Sequence, residues 1–204
     1  MPAIGITGGI ATGKSTFRDC LSTALPGAKF FDADLSAREV ADLPEAREEL
    51  VREFGHKIFS DTGGLNRDVL RAIVFRDAAK KRALEQILHP RIRRQWSRLA
   101  EAHRNSSEFF FADIPLLYET DGQSLCDRVV VVACSHSIQL ERLMKRKSMG
   151  EREAKEIINS QMPLEEKMRR ADHVVWNNGE RAALMEQGTK LIALWNSQSW
   201  TRMK

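Results

Sequence analysis

The run Gly8-Gly9-Ile10-Ala11-Thr12-Gly13-Lys14-Ser15 constrains this chain more than any other feature of it. It satisfies the pattern G-x-x-x-x-G-K-[ST]. It follows a short apolar run, Pro2 to Thr7, that reads as a buried strand. It opens a segment, Lys14 to Leu25, with apolar or small residues at helical spacing, stopped by Pro26-Gly27. Glycines let main-chain N–H groups turn inward around a phosphate without Cβ clashes. The start of the helix adds partial positive charge. Lys14 is then placed to reach β- and γ-phosphates, and Ser15 to offer a hydroxyl to Mg²⁺. The bland alternative is a glycine turn that merely starts a helix, and the strand-then-helix context argues against it.

The rest of the chain has to supply a sheet around that loop. Lys29-Phe30-Phe31 reads as a second strand ending at Asp32. Phe109 to Ala112 is a continuous apolar run stopping at Asp113, Val129 to Ala133 is another, and His173 to Trp176 a third. Continuous rather than alternating apolar strands imply a sheet covered on both faces, hence a parallel α/β fold. Helices are expected over Ser36 to Asp42 and Glu45 to Phe54, with Pro44 between them. Asp61-Thr62-Gly63-Gly64 reads as a turn. A long helical stretch is expected from Asn66 to Arg104, broken near His89-Pro90, with a loop at Asn105-Ser106-Ser107. Charged helix fills Gln139 to Arg170, and Glu180 to Trp195 closes the chain.

Composition removes other classes. With 42% hydrophobic and 29% charged residues over 204, the chain is neither disordered nor low in complexity. The balance of 32 Lys and Arg against 28 Asp and Glu leaves a net charge of +4, which suits an anionic ligand. Cys20, Cys126 and Cys134 form no CxxC, so neither a disulfide framework nor a zinc site is indicated, and a reducing cytoplasmic location is expected. The longest purely apolar run, Val129 to Cys134, is far short of a membrane span. Met1 to Ile6 lacks a basic n-region, so no signal peptide is expected.

A phosphate loop alone does not separate a kinase from a nucleotide-dependent switch. Asp61-Thr62-Gly63-Gly64 superficially matches DxxG, but the preceding Ile58-Phe59-Ser60 is too short for a buried strand, and no NKxD guanine-reading motif occurs. A surface turn is the better reading. Arg142 and Arg146 are one helical turn apart and share a face, where cis arginines would stabilise a transferring phosphoryl group. A solvated helix with Glu–Arg pairs is the competing reading, since Glu141, Glu151, Glu153 and Glu156 lie close by.

Acidic residues end the strands, where open α/β sheets place their chemistry. Asp32 and Asp34 would point to the same side if their strand continued, and Asp113 ends the third strand. One carboxylate would take a proton from an alcohol nucleophile, and another would hold water on Mg²⁺. Asp34, just before Leu35-Ser36-Ala37-Arg38, is equally a helix cap. His89, before Pro90, reads as a cap or a buried hydrogen-bonding group. The basic helix from Arg91 to Arg98 has Trp96 as its single aromatic, too little for an RNA stacking platform. A solvated face, or help in holding an anionic substrate, is the better reading. The residues by themselves leave a small-metabolite or nucleoside monophosphate kinase in play beside a switch.

Taken in order, the residues resemble the dephospho-CoA kinase family over nearly the whole chain. The resemblance is carried by Gly5-Ile6-Thr7-Gly8-Gly9-Ile10, Gly13-Lys14-Ser15, Asp32-Ala33-Asp34, Arg38-Glu39, Gly64-Leu65-Asn66-Arg67, Val74-Phe75 and Leu88-His89-Pro90. It continues through Asp113-Ile114-Pro115-Leu116-Leu117-Tyr118-Glu119, which is similar to the family's DxPLLxE signature. Gln139, Arg142-Leu143, Arg146, Gln161, Ala171-Asp172 and Asn177-Asn178-Gly179 complete it. The chain departs at Ala11, where the family usually has glycine, and at the bulky Trp176 before the asparagines.

The resemblance implies a P-loop NTPase fold: a five-stranded parallel sheet flanked by helices, with a helical substrate-binding insertion and a lid. The core would comprise about 1–33, 108–138 and 162–204, the CoA-binding insertion about 34–107, and the lid about 139–161. It implies that Mg·ATP phosphorylates the ribose 3′-hydroxyl of dephospho-CoA. ATP would be bound by Gly8, Gly9, Ile10, Ala11, Thr12, Gly13, Lys14, Ser15, Thr16, Asn177 and Gly179, with either Asn177 or Asn178 at the adenine. Asp32, Lys14, Arg142 and Arg146 would be catalytic, and Ser15 and Asp113 would serve Mg²⁺. Asp34, Arg38, Arg67, His89, Asp113, Leu116 and Tyr118 would bind the acceptor. The partners implied are these two small molecules, without nucleic acid or membrane, on a monomer or weak homo-oligomer in the cytoplasm.

Overall fold

The computed structural model describes residues 3–60, 63–103 and 106–197. Pro2, Asp61, Thr62, Arg104 and Asn105, which figure in the strand, turn and loop expectations, lie outside the described residues. The chain divides into two compact units, Met1–Phe31 with Ala100–Lys204, and Asp32–Leu99.

The sheet has five strands: β1 (Ala3–Gly8), β2 (Lys29–Asp32), β3 (Phe110–Asp113), β4 (Arg128–Ala133) and β5 (His173–Trp176). Their order is β2-β3-β1-β4-β5, with β1 central and parallel to both neighbours. β4 and β5 are parallel as well. All six residues of β1 and all four of β3 are buried, as two covered faces require. Helices α1 (Lys14–Ala24) and α9 (Arg181–Ser197) pack on one face. There Phe17 and Leu21 meet Leu184 and Trp195 above Ile4, Phe111 and Val132. Gly188 of α9 is buried on this seam, beside Phe17 and Leu21.

In the second unit lie α2 (Ala33–Ala41), α3 (Pro44–Phe54), α4 (Arg67–Arg76) and most of α5 (Ala78–His103). Val40, Leu50, Phe54, Ile58, Leu70 and Ile87 form its core. Pro44 is not a spacer: it starts α3, where its missing N–H costs nothing. The expected break at His89-Pro90 is absent. α5 passes through Pro90, and the interruption falls at Asp77, whose Oδ1 accepts the N–H groups of Ala79 (2.8 Å) and Lys80 (3.1 Å). Proline removes the bond to the carbonyl four residues back. The helix continues across it with Ile87, Leu88 and Ile92 packed into the core of this unit, while Arg91 donates to the Ile87 carbonyl at 2.7 Å and pairs with Glu49 at 2.9 Å. Lys80 likewise pairs with Glu53 at 2.8 Å, so part of the basic helix is spent on packing α5 against α3.

The charged stretch after β4 is three helices, α6 (His136–Lys147), α7 (Glu151–Asn159) and α8 (Leu164–Arg170). Ser148 stops α6 in the left-handed conformation, and Pro163 precedes α8. No helix among the described residues is long and apolar enough to cross a membrane.

Candidate active site

β1 ends at Gly8 and α1 begins at Lys14, so the glycine-rich loop lies at the carboxyl end of the central strand. Gly13, the residue before the helix, has φ +93° and offers no side-chain cap. A Cβ on it would come within 1.9 Å of Asn177 Nδ2. The first turn therefore presents the N–H groups of Lys14, Ser15 and Thr16 without intrahelical acceptors, an arrangement that attracts anions. Gly8 is needed for close approach, because a Cβ there would lie 2.4 Å from the Val132 carbonyl oxygen. Ala11 holds φ +61°, a left-handed conformation where glycine would be unstrained.

Side chains from distant elements brace this loop. Ile10 N–H donates to Gln161 Oε1 at 2.9 Å, and Gln139 Nε2 donates to the Ile10 carbonyl at 2.8 Å. Asn177 Nδ2 donates to the Thr12 carbonyl at 2.8 Å, and Thr12 Oγ1 to that of Gly9 at 2.9 Å. Asn178 Oδ1 accepts from Ser135 N–H at 2.8 Å. Both asparagines thus make hydrogen bonds within the protein. Gly179 follows them, before α9.

Asp113 ends β3 beside the loop. Its Oδ1 ion-pairs with Lys14 Nζ, and its Oδ2 lies 3.5 Å from Arg18 Nη1. Sequence reasoning missed Arg18, although it stands one helical turn beyond Lys14 and so shares its face. It also missed Lys167. That ammonium is fully buried, 2.8 Å from Glu119 Oε1 and 3.0 Å from the Pro115 carbonyl. No periodic signal distinguished it within Leu164-Glu165-Glu166-Lys167-Met168-Arg169-Arg170.

Arg142 and Arg146 both lie on α6. Arg142 Nη1 is buried, has no hydrogen-bond partner among the described residues, and lies 3.8 Å from where a Gly13 Cβ would be. An uncommitted guanidinium donor beside the phosphate loop fits an anionic ligand. Arg146 is exposed. Tyr118 is buried with Arg170 stacked over its ring at 4.5 Å, and burial pushes its phenol up to about 12 against the opposing pull of Arg170. Leu116, two residues before it, is half-buried.

In the second unit, Asp32 rather than Asp34 caps α2: its Oδ1 accepts from Asp34 N–H and Leu35 N–H, both at 3.0 Å. The expectation that Asp32 and Asp34 share a side fails, because helix starts at Ala33 and the alternation of a strand no longer applies. Asp34, Arg38 and Arg67 are exposed. His89 stands inside α5, not at a helix end, and burial lowers its pKa against a raising influence from Glu85.

Among the described residues no group of three or more His, Cys, Asp or Glu side chains is placed to hold a metal ion. Mg²⁺ arriving on a nucleotide asks less of the protein, since phosphates and water fill most of its shell. The exposed Ser15 on the first turn of α1, with Asp113 at the neighbouring strand end, fits that demand.

A family model described as dephospho-CoA kinase matches residues 2–183. The dephospho-CoA kinase of Bacillus cereus is 42% identical over 199 residues, spanning 95% of this chain and 96% of that protein. A Thermus thermophilus protein of known structure superposes with a TM-score of 0.81 at 31% identity, covering 97% of this chain and 98% of the other. The dephospho-CoA kinase of Campylobacter jejuni superposes with a TM-score of 0.66 at 28% identity, over 95% and 96% of the two chains.

Proposed function

From the premise that the chain belongs to the dephospho-CoA kinase family, which phosphorylates dephospho-CoA with ATP in the last step of CoA biosynthesis, we propose how its own residues carry the transfer. The observation that supports the reading is the Lys14–Asp113 ion pair, at the start of α1 and the end of β3. It sets a cation for phosphate beside a carboxylate for the metal's water. The N–H groups of the loop and the first turn of α1, residues Gly8 to Thr16, grip the donor phosphates. Lys14 passes from Asp113 to the β- and γ-phosphate oxygens. Arg142 and Arg146 add positive charge where the transferring group spreads its own. Ser15 would ligate Mg²⁺ and Asp113 would hold one of its waters, and the ion would supply positive charge against the phosphates.

The acceptor is the ribose 3′-hydroxyl. Its oxygen forms a bond to the γ-phosphorus, the bond from that phosphorus to the β–γ bridging oxygen breaks, and ADP leaves. The hydroxyl proton passes to the Asp32 carboxylate, which two main-chain N–H groups hold in one orientation. Arg38 and Arg67 meet the acceptor's phosphates, and Asp34, His89, Leu116 and Tyr118 its remaining groups. Asn177 and Gly179 act on the donor side, Asn177 by bracing Thr12. Residues 34–107 form the CoA-binding insertion. Residues 139–161 form a lid that excludes water during transfer. The enzyme works in the cytoplasm, consistent with free thiols at Cys20, Cys126 and Cys134, as a monomer or weak homo-oligomer.

The test is an acceptor panel with Mg·ATP: dephospho-CoA, AMP and shikimate in competition. Dephospho-CoA should be consumed first, with CoA and ADP appearing in equal amounts. AMP or shikimate outcompeting it would overturn the assignment.

A further inference from the structure

We infer that Lys167 is a positioning residue for phosphoryl transfer, fixing the entrance of the phosphate loop against the segment that follows Asp113. The inference rests on the assignment of Lys14 and Asp113 to the donor phosphates and the metal.

β1 and β3 are in register as far as Ile6 and Asp113, and Ile114 N–H donates to the Ile6 carbonyl at 3.0 Å. Backbone groups on a strand alternate in direction, so the Gly8 carbonyl, two residues on, faces the same side. No strand partner meets it there. The Lys167 ammonium takes that place instead, 3.5 Å from the Gly8 carbonyl oxygen and 3.0 Å from that of Pro115. Thr7 Oγ1 reaches the same Pro115 carbonyl at 3.0 Å. Lys167 therefore extends the β1–β3 linkage beyond its last main-chain bond, at the point where the two chains part to become the phosphate loop and the Asp113–Glu119 segment.

The third N–H of the ammonium is matched by Glu119 Oε1 at 2.8 Å, so three donors meet three acceptors. The complete matching explains how a cation can stay at 0% exposure. Glu119 Oε1 also accepts Met162 N–H at 3.1 Å, one residue after Gln161, the brace of Ile10. One ion pair, buried on its lysine side, thus joins the loop entrance, the segment after Asp113 and the chain leading into α8. In-line transfer demands that donor phosphate and metal ligand keep a fixed separation, and small displacements lower the rate steeply. Lys167 touches no reacting atom; it acts through Gly8 and Pro115.

The test compares wild type, Lys167→Met, Glu119→Gln and the double variant. The readout is kcat at saturating ATP and dephospho-CoA, per folded molecule, with the folded fraction and Tm from circular dichroism. Lys167→Met should lower kcat at least tenfold while KM for dephospho-CoA moves less than threefold. Glu119→Gln keeps an acceptor for Met162 and should lower kcat at least threefold. The double variant should be no slower than Lys167→Met, because both changes act through one ion pair. A lysine needed only for stability would lower Tm and leave kcat per folded molecule within twofold, and that result would overturn the inference. So would losses that multiply in the double variant. Where Lys167→Met does not fold, a Glu119→Gln enzyme with kcat within twofold of wild type overturns it as well. A wild type that makes no CoA would instead remove the functional reading beneath it.

Discussion

Asn177 reaches back 165 positions to place its Nδ2 2.8 Å from the carbonyl oxygen of Thr12. The amide is buried and stands directly over Gly13. Asn177→Ala removes the donor and strands a buried carbonyl, a loss of about 1–3 kcal/mol in unfolding free energy. KM for ATP should rise at least threefold as the loop loosens. Asn177→Asp should be worse than alanine on both measures, since it sets a carboxylate against the carbonyl and beside the donor phosphates. Urea unfolding and initial rates over an ATP series decide; an alanine variant with unchanged KM would mean the brace does not shape the loop.

Asp32 offers an unusually clean separation of fold from chemistry. Its carboxylate caps α2 through the N–H groups of Asp34 and Leu35. Asparagine caps helices about as well as aspartate, so Asp32→Asn should leave Tm nearly unchanged. If the carboxylate takes the acceptor proton, kcat should fall by about 10²–10⁴-fold. A near-normal kcat would reduce Asp32 to a cap.

Ala11 sits at φ +61°, where a side chain other than that of glycine costs about 1 kcal/mol. Ala11→Gly should raise unfolding free energy by about 0.5–1 kcal/mol, partly offset by the freer unfolded chain. Turnover should stay within twofold, because Ile10 and Thr12 on either side are held by Gln161, Gln139 and Asn177. Chemical denaturation of the two proteins side by side measures the difference, and a destabilised glycine variant would show that Ala11 carries no strain.

What could be read from the sequence follows the physics of each signal. β1, β3 and β4 are short, largely continuous apolar runs bounded by turn residues, and a doubly covered sheet accommodates them. The loop from Gly8 to Ser15 is legible because its chemistry is local: glycines, lysine and hydroxyl are adjacent in the chain. Pro90 misled because a local rule was set against the non-local packing of Ile87, Leu88 and Ile92. The break at Asp77 needed only its own cap and was there to be seen. Lys167, Gln139 and Gln161 each reach a carbonyl or N–H of Gly8 or Ile10 from 129 to 159 positions away, and a spacing rule has no purchase on such contacts.

Trp195 Nε1 donates to His173 Nε2 at 3.2 Å, a bond that requires the neutral imidazole. Burial lowers the His173 pKa below its ordinary 6.5, aided by Arg128 and opposed by Asp172. His89 is lowered by burial too. A depressed histidine takes up its proton more readily in the unfolded chain than in the folded one. Stability from these groups is therefore complete above about pH 6.5 and declines as pH falls through the lowered folded-state values. Tm measured from pH 8 to pH 5 should be flat at first and then fall. His173→Gln keeps an acceptor for Trp195 without a titrating ring, so it should shallow the fall below pH 6.5 while leaving the pH 8 value within a few degrees. An identical slope in the two proteins would assign the acid sensitivity elsewhere.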